Sequence, residues 1–417
     1  MWTMAVEGAY VIVGASLAGA SAAQALREAG FTGPVVLIGE EGEQPYERPG
    51  LSKGYLMGKD ERDKLDVHPP EWYAENHVDL RLDTQVIEID HAAHEVVLHD
   101  GTRIAYAKLL LATGASPRRL PVPGADFEGV LHLRTVADSD RIKETYRSAS
   151  KVVIIGAGWI GLETAAAGRE AGVEVTVLEA AELPLLRVLG PEVARVFADL
   201  HREHGVDLRL GVQVAEITGS GGKADGVRLA DGTRIAADAV IVGVGAAPNT
   251  ALADAAGLEV DNGVRVDARL RTSQPDVYAA GDVANAFHPV LGKHIRVEHW
   301  ANAQNQPQTA ARSMLGEADA VYDRVPYFFT DQYDLGMEYA GYVEPGGYDR
   351  VVFRGDVGAR EFIAFWLAAD GRLLAGMNVN IWDVSDQIQN LVRAAVPVDP
   401  ARLADAAVPL EDAAAKA

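Results

Sequence analysis

Three glycines and one acidic residue in the middle of the chain have the spacing of a dinucleotide-binding turn. Gly156, Gly158 and Gly161 follow the pattern G-x-G-x-x-G, and Glu179 comes about twenty residues after them. In such a turn the first glycine permits a sharp bend, the second lets backbone approach a pyrophosphate, and the third lets helix and strand pack closely. A carboxylate at the position of Glu179 can accept hydrogen bonds from ribose hydroxyls.

The residues around this turn have the pattern of a strand, a helix and a second strand. Val152–Ile155 is an unbroken apolar run, which is typical of a buried parallel strand. A helical pattern runs over residues 160–171, and a second strand follows at Glu174–Leu178. The N-terminus of that helix would offer unpaired N–H groups and a positive dipole end to phosphates. The agreement of all these signals favours a binding site over a purely structural glycine turn.

A second copy of the pattern opens the chain. Residues 10–40 contain an apolar strand, Gly14 and Gly19, an Ala-rich helix, another strand and Glu40. The middle glycine is replaced by the small residue Ser16. Two such units in one chain predict two dinucleotide sites, which we interpret as one flavin and one nicotinamide site.

Repetition extends beyond the turns and predicts the domain organisation. Residues 205–243 repeat the hairpin, the Asp-Gly turn and the returning strand of residues 78–117. The predicted fold is α/β, with two Rossmann-like dinucleotide-binding domains and a C-terminal α+β domain. The predicted boundaries are 1–115 with 246–325 for the flavin domain, 116–245 for the nicotinamide domain, and 326–417 for the C-terminal domain. The first nine residues are expected to be a frayed lead, and the Ala-rich end from Pro397 a loosely held tail.

The absence of cysteine restricts the redox chemistry. None of the 417 residues is cysteine, so flavoenzymes that pass electrons through a dithiol or a cysteine sulfenate are excluded. Iron–sulfur clusters held by cysteines of this chain are excluded as well. Electrons from a bound flavin must therefore pass directly to an acceptor outside the chain.

Charge and hydropathy restrict the partners. The formal net charge of −22 argues against nucleic acid, whose phosphates would be repelled. No apolar run reaches the roughly 18 residues of a transmembrane helix, and the first residues lack the basic start of a signal peptide. The expected location is the cytoplasm, with no membrane partner and no metal.

Further polar residues lie where a cofactor edge could meet them. Arg48 and Lys53 belong to a turn-rich segment that is expected to be a loop, and loops often carry function. Asp282 sits at the end of a short predicted strand. A helix is expected over 298–315, with its N-terminus near Trp300 directed at the flavin. Pro307 is expected to kink or divide that helix.

Several segments together resemble the FAD-dependent NADH:ferredoxin reductases that serve cytochrome P450 and Rieske oxygenase systems. Rubredoxin reductases and apoptosis-inducing-factor-like proteins are relatives of that family. The matching segments are PYERPGLSKGYL, TGASPRRLPVPG, HLRT, VVIIGAGWIGLE, VGVGAAPNT, VYAAGDVA and VEHWANAQ. Gly50 stands where the family has a second proline. The resemblance covers nearly the whole chain and implies a glutathione-reductase-like arrangement without redox cysteines.

The resemblance also implies the site residues. The implied flavin contacts are Gly14, Ser16, Gly19, Glu40, Arg48, Lys53, Val86, Arg134, Asp282 and Trp300. The implied nicotinamide contacts are Gly156, Gly158, Ile160, Gly161, Glu163, Glu179, Arg187 and Gly245. Lys53 and Glu163 are the pair that the family places beside the reactive edge of the flavin, and we expect them to be the catalytic residues.

The implied reaction moves a hydride from NADH to FAD and then single electrons to a 2Fe–2S ferredoxin. Glu179 favours NADH over NADPH, because its charge would repel a 2′-phosphate. Two alternatives remain open at this point. One is an NADH-sensing protein similar to apoptosis-inducing factor, and the other is a reductase of a small acceptor such as a quinone or monodehydroascorbate. A monomer and a homodimer are equally compatible with the sequence.

Overall fold

The computed structural model describes residues 8–414, so residues 1–7 of the predicted lead and residues 415–417 lie outside the described residues. The strands are β1 (Tyr10–Val13), β2 (Val35–Ile38), β3 (Val78–Arg81), β4 (Val86–Asp90), β5 (Glu95–Leu98), β6 (Arg103–Ala105), β7 (Lys108–Leu111), β8 (Ala115–Pro117), β9 (Val130–Leu131), β10 (Lys151–Ile155), β11 (Glu174–Leu178), β12 (Asp207–Arg209), β13 (Val214–Ser220), β14 (Lys223–Leu229), β15 (Arg234–Ala236), β16 (Ala239–Val242), β17 (Ala246–Pro248), β18 (Val264–Val266), β19 (Val277–Ala279), β20 (Ala284–His288), β21 (Lys293–Arg296), β22 (Tyr327–Gln332), β23 (Leu335–Gly341), β24 (Arg350–Asp356), β25 (Glu361–Leu367) and β26 (Leu373–Val379). The helices are α1 (Leu17–Glu28), α2 (Pro70–Glu75), α3 (Val136–Ser148), α4 (Trp159–Glu170), α5 (Leu186–Glu203), α6 (Ala251–Ala255), α7 (Trp300–Met314), α8 (Ser385–Ala394) and α9 (Pro400–Ala404).

The chain divides into two compact units, each assembled from three segments. Unit 1 contains residues 8–47, 62–116 and 247–324. Unit 2 contains residues 48–61, 117–246 and 325–414. The predicted nicotinamide and C-terminal domains thus both lie almost entirely in unit 2, together with the segment that carries Arg48 and Lys53.

Unit 1 is built on a parallel sheet in the order β3-β2-β1-β7-β19. Ile12, Leu37 and Leu110 are completely buried in its strands, as the unbroken apolar runs predicted. Helix α1 returns the chain from β1 to β2 and packs against α7. This arrangement brings the carboxyl ends of the parallel strands to one edge of the sheet, where α/β proteins bind nucleotides.

Unit 2 repeats this plan with a parallel sheet in the order β12-β11-β10-β16-β9. Both units also contain a three-stranded antiparallel sheet, β4-β5-β6 in unit 1 and β13-β14-β15 in unit 2. The matching strand orders agree with the internal duplication that the sequence indicated, and they give the predicted pair of Rossmann-like parallel sheets.

The C-terminal part of unit 2 is a five-stranded antiparallel sheet in the order β22-β23-β26-β25-β24. Trp366 and Phe365 are completely buried on its two faces, and α8 packs against β26. The alternation read from the sequence therefore gives the expected α+β architecture.

Two local expectations differ from the structure. Helix α7 is continuous through Pro307, so the expected division is wrong, while a kink stays a prediction. Proline removes only one N–H donor, and the rest of the helix stays packed in the unit 1 core. Residues 398–414 are not a loose tail: Leu403, Leu410 and Ala413 are buried in a small cluster with α8. Their widely spaced apolar side chains gave little periodic signal within an Ala-rich stretch.

Within residues 8–414, no helix combines the length and apolarity that crossing a bilayer requires. The same residues contain no group of three or more histidine or acidic side chains arranged to hold a metal ion.

Candidate dinucleotide sites and a buried acid cluster

The turn after β1 in unit 1 has the geometry that its glycines predicted. Gly14 has φ +116°, and a Cβ built on it would lie 2.1 Å from the carbonyl oxygen of Ala112. A Cβ on Gly19 would lie 1.9 Å from the carbonyl oxygen of Gly14. Only glycine fits at both positions, so helix and turn approach each other backbone to backbone. Ser16 is the N-cap of α1 and makes no side-chain capping bond to any described residue, which leaves the first N–H groups directed at this turn.

Glu40 and Asp282, two other predicted flavin contacts in unit 1, lie on the same sheet edge, whereas Val86 belongs to the antiparallel sheet β4-β5-β6. Glu40 follows β2, and its carboxylate accepts a hydrogen bond of 3.4 Å from the side chain of Gln85. Asp282 follows β19 within a short 3₁₀ turn, and Val86 begins β4. Parallel strands β1, β2 and β19 therefore bring Gly14, Glu40 and Asp282 to one edge. An uncapped helix start and a turn of small residues fit the pyrophosphate of a dinucleotide there.

Two titratable groups with displaced pKa values lie at the N-terminus of α7: its N-cap His299, and Glu47, which contacts Trp300. The helix begins at Trp300, and its N-cap is His299. Burial lowers the pKa of His299 to about 4, although the carboxylate of Asp282 acts in the opposite direction. Burial raises the pKa of Glu47, although a hydrogen bond with the Trp300 side chain lowers it. Sequence reasoning missed Glu47, whose only signal was its place next to Arg48.

In unit 2 the second glycine turn has the same construction. Gly156 has φ +103°, and its Cβ would lie 2.3 Å from the carbonyl oxygen of Gly243. A Cβ on Gly161 would lie 2.0 Å from the carbonyl oxygen of Gly156. At Gly158, the N-cap of α4, no described atom outside the helix's own backbone lies within 4 Å of such a Cβ. Its bare backbone therefore serves no packing need and fits close approach of a pyrophosphate.

This open space makes Gly158→Ala a specific probe of nucleotide binding. We expect the free energy of unfolding to fall by less than about 1 kcal/mol, since an N-cap alanine costs little here. We expect the dissociation constant for NADH to rise about tenfold, because the methyl group fills the space a phosphate needs. Both are measured on one protein preparation, by urea unfolding and by titration of the flavin absorbance.

Gly172→Ala is the matched control. Gly172 has φ +83° at the far end of α4, also with open space around its Cβ position. That variant should lose about 1 kcal/mol of stability through its left-handed backbone and keep its NADH affinity. Equal affinities in the two variants would remove Gly158 from the binding site.

Glu179 is held over the glycine turn by backbone N–H groups. Its Oε2 accepts from the N–H of Ala157 at 2.7 Å, and its Oε1 accepts from the N–H of Ala181 at 2.9 Å. Each oxygen keeps a further lone pair that can accept a ribose hydroxyl. The carboxylate is therefore already fixed in position at the end of β11, where the sequence predicted a ribose contact.

The remaining predicted nicotinamide contacts lie at the surface of unit 2. Ile160 is 42% exposed on the first turn of α4. Gly245 has φ +95°, and its carbonyl oxygen accepts from the N–H of Arg118. Arg187 lies on α5 and lines a cavity of about 480 Å³ together with Tyr348 and the Gly190 kink.

Glu163 is the centre of a buried polar cluster in unit 2. Its side chain is 5% exposed, and it accepts hydrogen bonds from the Ser52 hydroxyl, the Lys53 ammonium and the Thr330 hydroxyl. The Lys53 side chain is 14% exposed, and its Nζ lies 5.6 Å from the centroid of the Phe329 ring. Three distant segments thus meet at one carboxylate. The structure brings together Lys53 and Glu163, the pair that the sequence singled out.

Ser52, Thr330 and Asp331 were missed from the sequence. Burial raises the pKa of Asp331, the charge of Lys53 lowers it, and the charge of Glu163 raises it. Strand β22 thus adds an acid with a raised pKa beside the pair. The alternation of β22 was a weak sequence signal for the burial of Thr330. Every second side chain of a strand faces the same way, so Thr330 lies on the same face as the buried Phe328. A polar residue on the same strand face as a buried aromatic side chain is expected to hydrogen-bond to another buried polar group.

Arg48 and Arg134 are also brought together, through a hydrogen bond from the Arg48 guanidinium to the Arg134 carbonyl oxygen. Asp138 accepts from the N–H groups of Arg134 and Thr135 at 3.0 and 2.9 Å, which caps α3. Both arginines, like Lys53, belong to unit 2, whereas the other predicted flavin contacts belong to unit 1.

Known proteins are similar to this chain in sequence and in architecture. Residues 8–307 match the family described as pyridine nucleotide-disulphide oxidoreductase, and residues 327–414 match the family described as reductase C-terminal. The chain is 41% identical over 404 residues to the anthranilate 1,2-dioxygenase system ferredoxin–NAD(+) reductase component of Burkholderia cepacia, covering 96% of this chain and 98% of that protein.

Solved structures agree with this similarity. A chain of the covalent putidaredoxin reductase–putidaredoxin complex superimposes with a TM-score of 0.93 at 37% identity, covering 98% of each chain. The ferredoxin reductase for the CYP199A2 system from Rhodopseudomonas palustris also has a TM-score of 0.93 at 37% identity, covering 98% of this chain and 100% of that chain.

Proposed function

This chain belongs to the pyridine nucleotide-disulphide oxidoreductase family, and on that basis we propose that it is an NADH:ferredoxin reductase. It takes a hydride from NADH onto FAD and passes single electrons to a 2Fe–2S ferredoxin. That ferredoxin would feed an oxygenase, as the names of its relatives indicate for theirs. We further propose a cytoplasmic location, because the reaction consumes NADH.

The observation that carries the proposal is the pair of glycine turns, one in each unit. Each turn places a glycine with positive φ against a carbonyl oxygen and leaves a helix N-terminus directed at the sheet edge. Each is followed by an acidic residue after the second strand, Glu40 in unit 1 and Glu179 in unit 2. One turn fits FAD and the other fits NADH. Because the chain has no cysteine, the acceptor must lie outside it.

Bound FAD supplies the conversion of a two-electron donor into a one-electron donor. The protein's own residues hold and orient the reactants. The helix starts at Ser16 and Gly158 would hold the two pyrophosphates through N–H groups. Lys53 donates a hydrogen bond to the carboxylate of Glu163, which in turn is fixed by two hydroxyl donors. The pair would present a positioned positive group with no reorganisation during the reaction.

The choice of coenzyme is assigned to the charge of Glu179. In Glu179→Ala we expect the KM for NADH to rise about tenfold, and the preference for NADH over NADPH to fall by a similar factor. The reason is that the ribose acceptor and the repulsion of a 2′-phosphate are removed together. Steady-state kinetics with both coenzymes measure this.

Glu179→Gln is the control for backbone effects, since it removes the charge and keeps one acceptor for the N–H groups of the turn. It should lose the coenzyme preference with a smaller loss of thermal stability than Glu179→Ala. Kinetics that are unchanged with both coenzymes would exclude Glu179 from the site.

Anaerobic stopped-flow spectroscopy tests the function itself. We expect NADH to bleach the flavin rapidly, and cytochrome c to be reduced at a comparable rate only when a 2Fe–2S ferredoxin is added. Rapid reduction of a quinone or of monodehydroascorbate without a protein carrier would favour a small acceptor instead. Slow turnover with a persistent NAD charge-transfer band and dimerisation would favour an NADH sensor.

A further inference from the structure

A chain of buried polar side chains leads from Glu163 into the interior of unit 2. Thr330 Oγ1 donates to the Glu163 carboxylate, and Gln332 Nε2 lies 3.3 Å from Thr330 Oγ1. Gln332 Oε1 lies 2.8 Å from Nε2 of His201. All four side chains are at most 5% exposed. The chain thus joins an acid on α4 to a histidine on α5 through two residues of β22.

The charge of Glu163 fixes the direction of every bond in this chain. An ionised carboxylate only accepts hydrogen bonds, so Thr330 must donate its single hydroxyl proton to it. The Thr330 oxygen can then accept only from the amide N–H of Gln332. The carbonyl oxygen of Gln332 is left to accept, and His201 must supply a proton at Nε2. The ionised state of Glu163 therefore selects one tautomer of His201.

The opposite direction is disfavoured by the environment of His201. A protonated Glu163 could donate to Thr330. If the Gln332 amide then rotated by half a turn, each bond would be reversed and the His201 proton would move to Nδ1. That nitrogen is buried and has no hydrogen-bond partner among residues 8–414. A buried N–H without an acceptor costs free energy. Burial lowers the pKa of His201 to about 4, so the ring holds one proton at neutral pH.

Other titratable groups face the two ends of the chain. At the Glu163 end these are the Lys53 ammonium, which donates to the carboxylate, and Asp331 of β22. At the other end, Tyr333 packs edge-on against His201 with ring centroids 5.3 Å apart. His204, the C-cap residue of α5, lowers the pKa of His201 by charge repulsion. The Lys53 ammonium and the Thr330 hydroxyl thus donate to the same carboxylate oxygen of Glu163, Oε1.

We propose that Thr330, Gln332 and His201 are positioning residues that hold the Glu163 carboxylate in place and aim it at Lys53. This inference rests on the proposed function, since it assigns a purpose to the predicted catalytic pair. It places the control of that pair in the C-terminal antiparallel sheet and in α5.

The first test reads the tautomer of His201 in the FAD-loaded protein. Nitrogen NMR of protein labelled at its 11 histidines, with the His201→Gln spectrum for assignment, should show a proton at Nε2 between pH 6 and 8. In Glu163→Gln, whose amide can donate to Thr330, the proton should move at least partly to Nδ1. Thr330→Val should also mix the tautomers, and Thr330→Ser should restore the wild-type signal. A tautomer that is identical in all four proteins would overturn the proposal.

The second test is the pH dependence of flavin reduction by NADH. In Thr330→Val the acid limb of the rate–pH profile should move to higher pH by about one unit, because the carboxylate loses a hydrogen-bond donor. At a given pH on that limb the rate should fall about tenfold. Thr330→Ser should reverse the shift. Gln332→Met, which breaks the chain one residue further away, should give a smaller shift of the same sign. Profiles that superimpose on the wild type would contradict the proposal. Failure of NADH to reduce the wild-type flavin would instead refute the proposed function, while the tautomer test would still decide whether the chain is coupled.

Discussion

Replacing Glu163 by glutamine is expected to slow the reduction of bound flavin by NADH by roughly 10²-fold. The substitution keeps the shape of the side chain and removes the charge that compensates Lys53, whose side chain is only 14% exposed. A buried cation without its anion is expected to reorient or lose its proton, at a cost of about 3 kcal/mol in stability. Single-turnover stopped-flow measures the rate, and urea unfolding measures the stability.

Glu170→Gln is the matched control for this substitution. Glu170 lies on the same helix, and its carboxylate is 2.9 Å from Nζ of Lys59, so the two ion pairs join the same two segments of unit 2. The surface pair has side chains 59% and 36% exposed, and its loss should change stability by less than about 1 kcal/mol. Its flavin should be reduced at the wild-type rate. Equal rates for Glu163→Gln and Glu170→Gln would show that the buried acid has no role in hydride transfer.

Replacing Gly14 by alanine is expected to give protein that purifies almost without flavin. The new Cβ would lie 2.1 Å from the carbonyl oxygen of Ala112, at a φ of +116° that alanine does not tolerate. Because the nearest atoms, in Ala112 and Thr113, are all backbone atoms, the turn itself must move, at a cost of at least about 3 kcal/mol. That cost falls on the conformation that binds FAD, and it corresponds to roughly a hundredfold loss of affinity. The ratio of flavin to protein absorbance after desalting measures the effect.

Gly30→Ala is the control that separates the cost of placing alanine at positive φ from the cost of the clash between the new Cβ and the backbone. Gly30 in the same unit has φ +81°, and no described atom lies within 4 Å of its Cβ position. This variant should lose about 1 kcal/mol of stability and keep its full complement of flavin. A Gly14→Ala protein that retains FAD as tightly as Gly30→Ala does would show that the turn after β1 does not hold the cofactor.

Short-range sequence patterns predicted the two βαβ units, because all the elements of each unit lie close together along the chain. The apolar strands, the glycine turns and the helices α1 and α4 lie within 31 and 29 consecutive residues of the copies at 10–40 and 151–179. Within such a unit a turn and its flanking strands constrain one another directly, so spacing alone was informative. The parallel order of both sheets followed from the βαβ pattern, since such connections are right-handed and join neighbouring strands.

The partners of Glu163 required information that is not local. Ser52 and Thr330 lie 111 and 167 residues away along the chain, and no spacing rule relates positions so far apart. The continuity of α7 through Pro307 and the burial of side chains in residues 398–414 also depend on contacts with distant parts of the unit. In both segments, packing overrides the local preference of the sequence. A helix tolerates one missing donor when its faces are buried. An Ala-rich segment packs against the rest of the unit when three of its apolar side chains are buried.

The amino-acid sequence by itself determined the two nucleotide turns, the acids that follow them and the absence of any thiol chemistry, because each depends on residue identity and short-range spacing. The tertiary structure alone decided that a carboxylate on α4 would be buried, which hydroxyls would hold it, and that a histidine on α5 would end its hydrogen-bond chain. Burial and hydrogen-bond direction are properties of groups that folding brings together, and they exist only after distant segments have met.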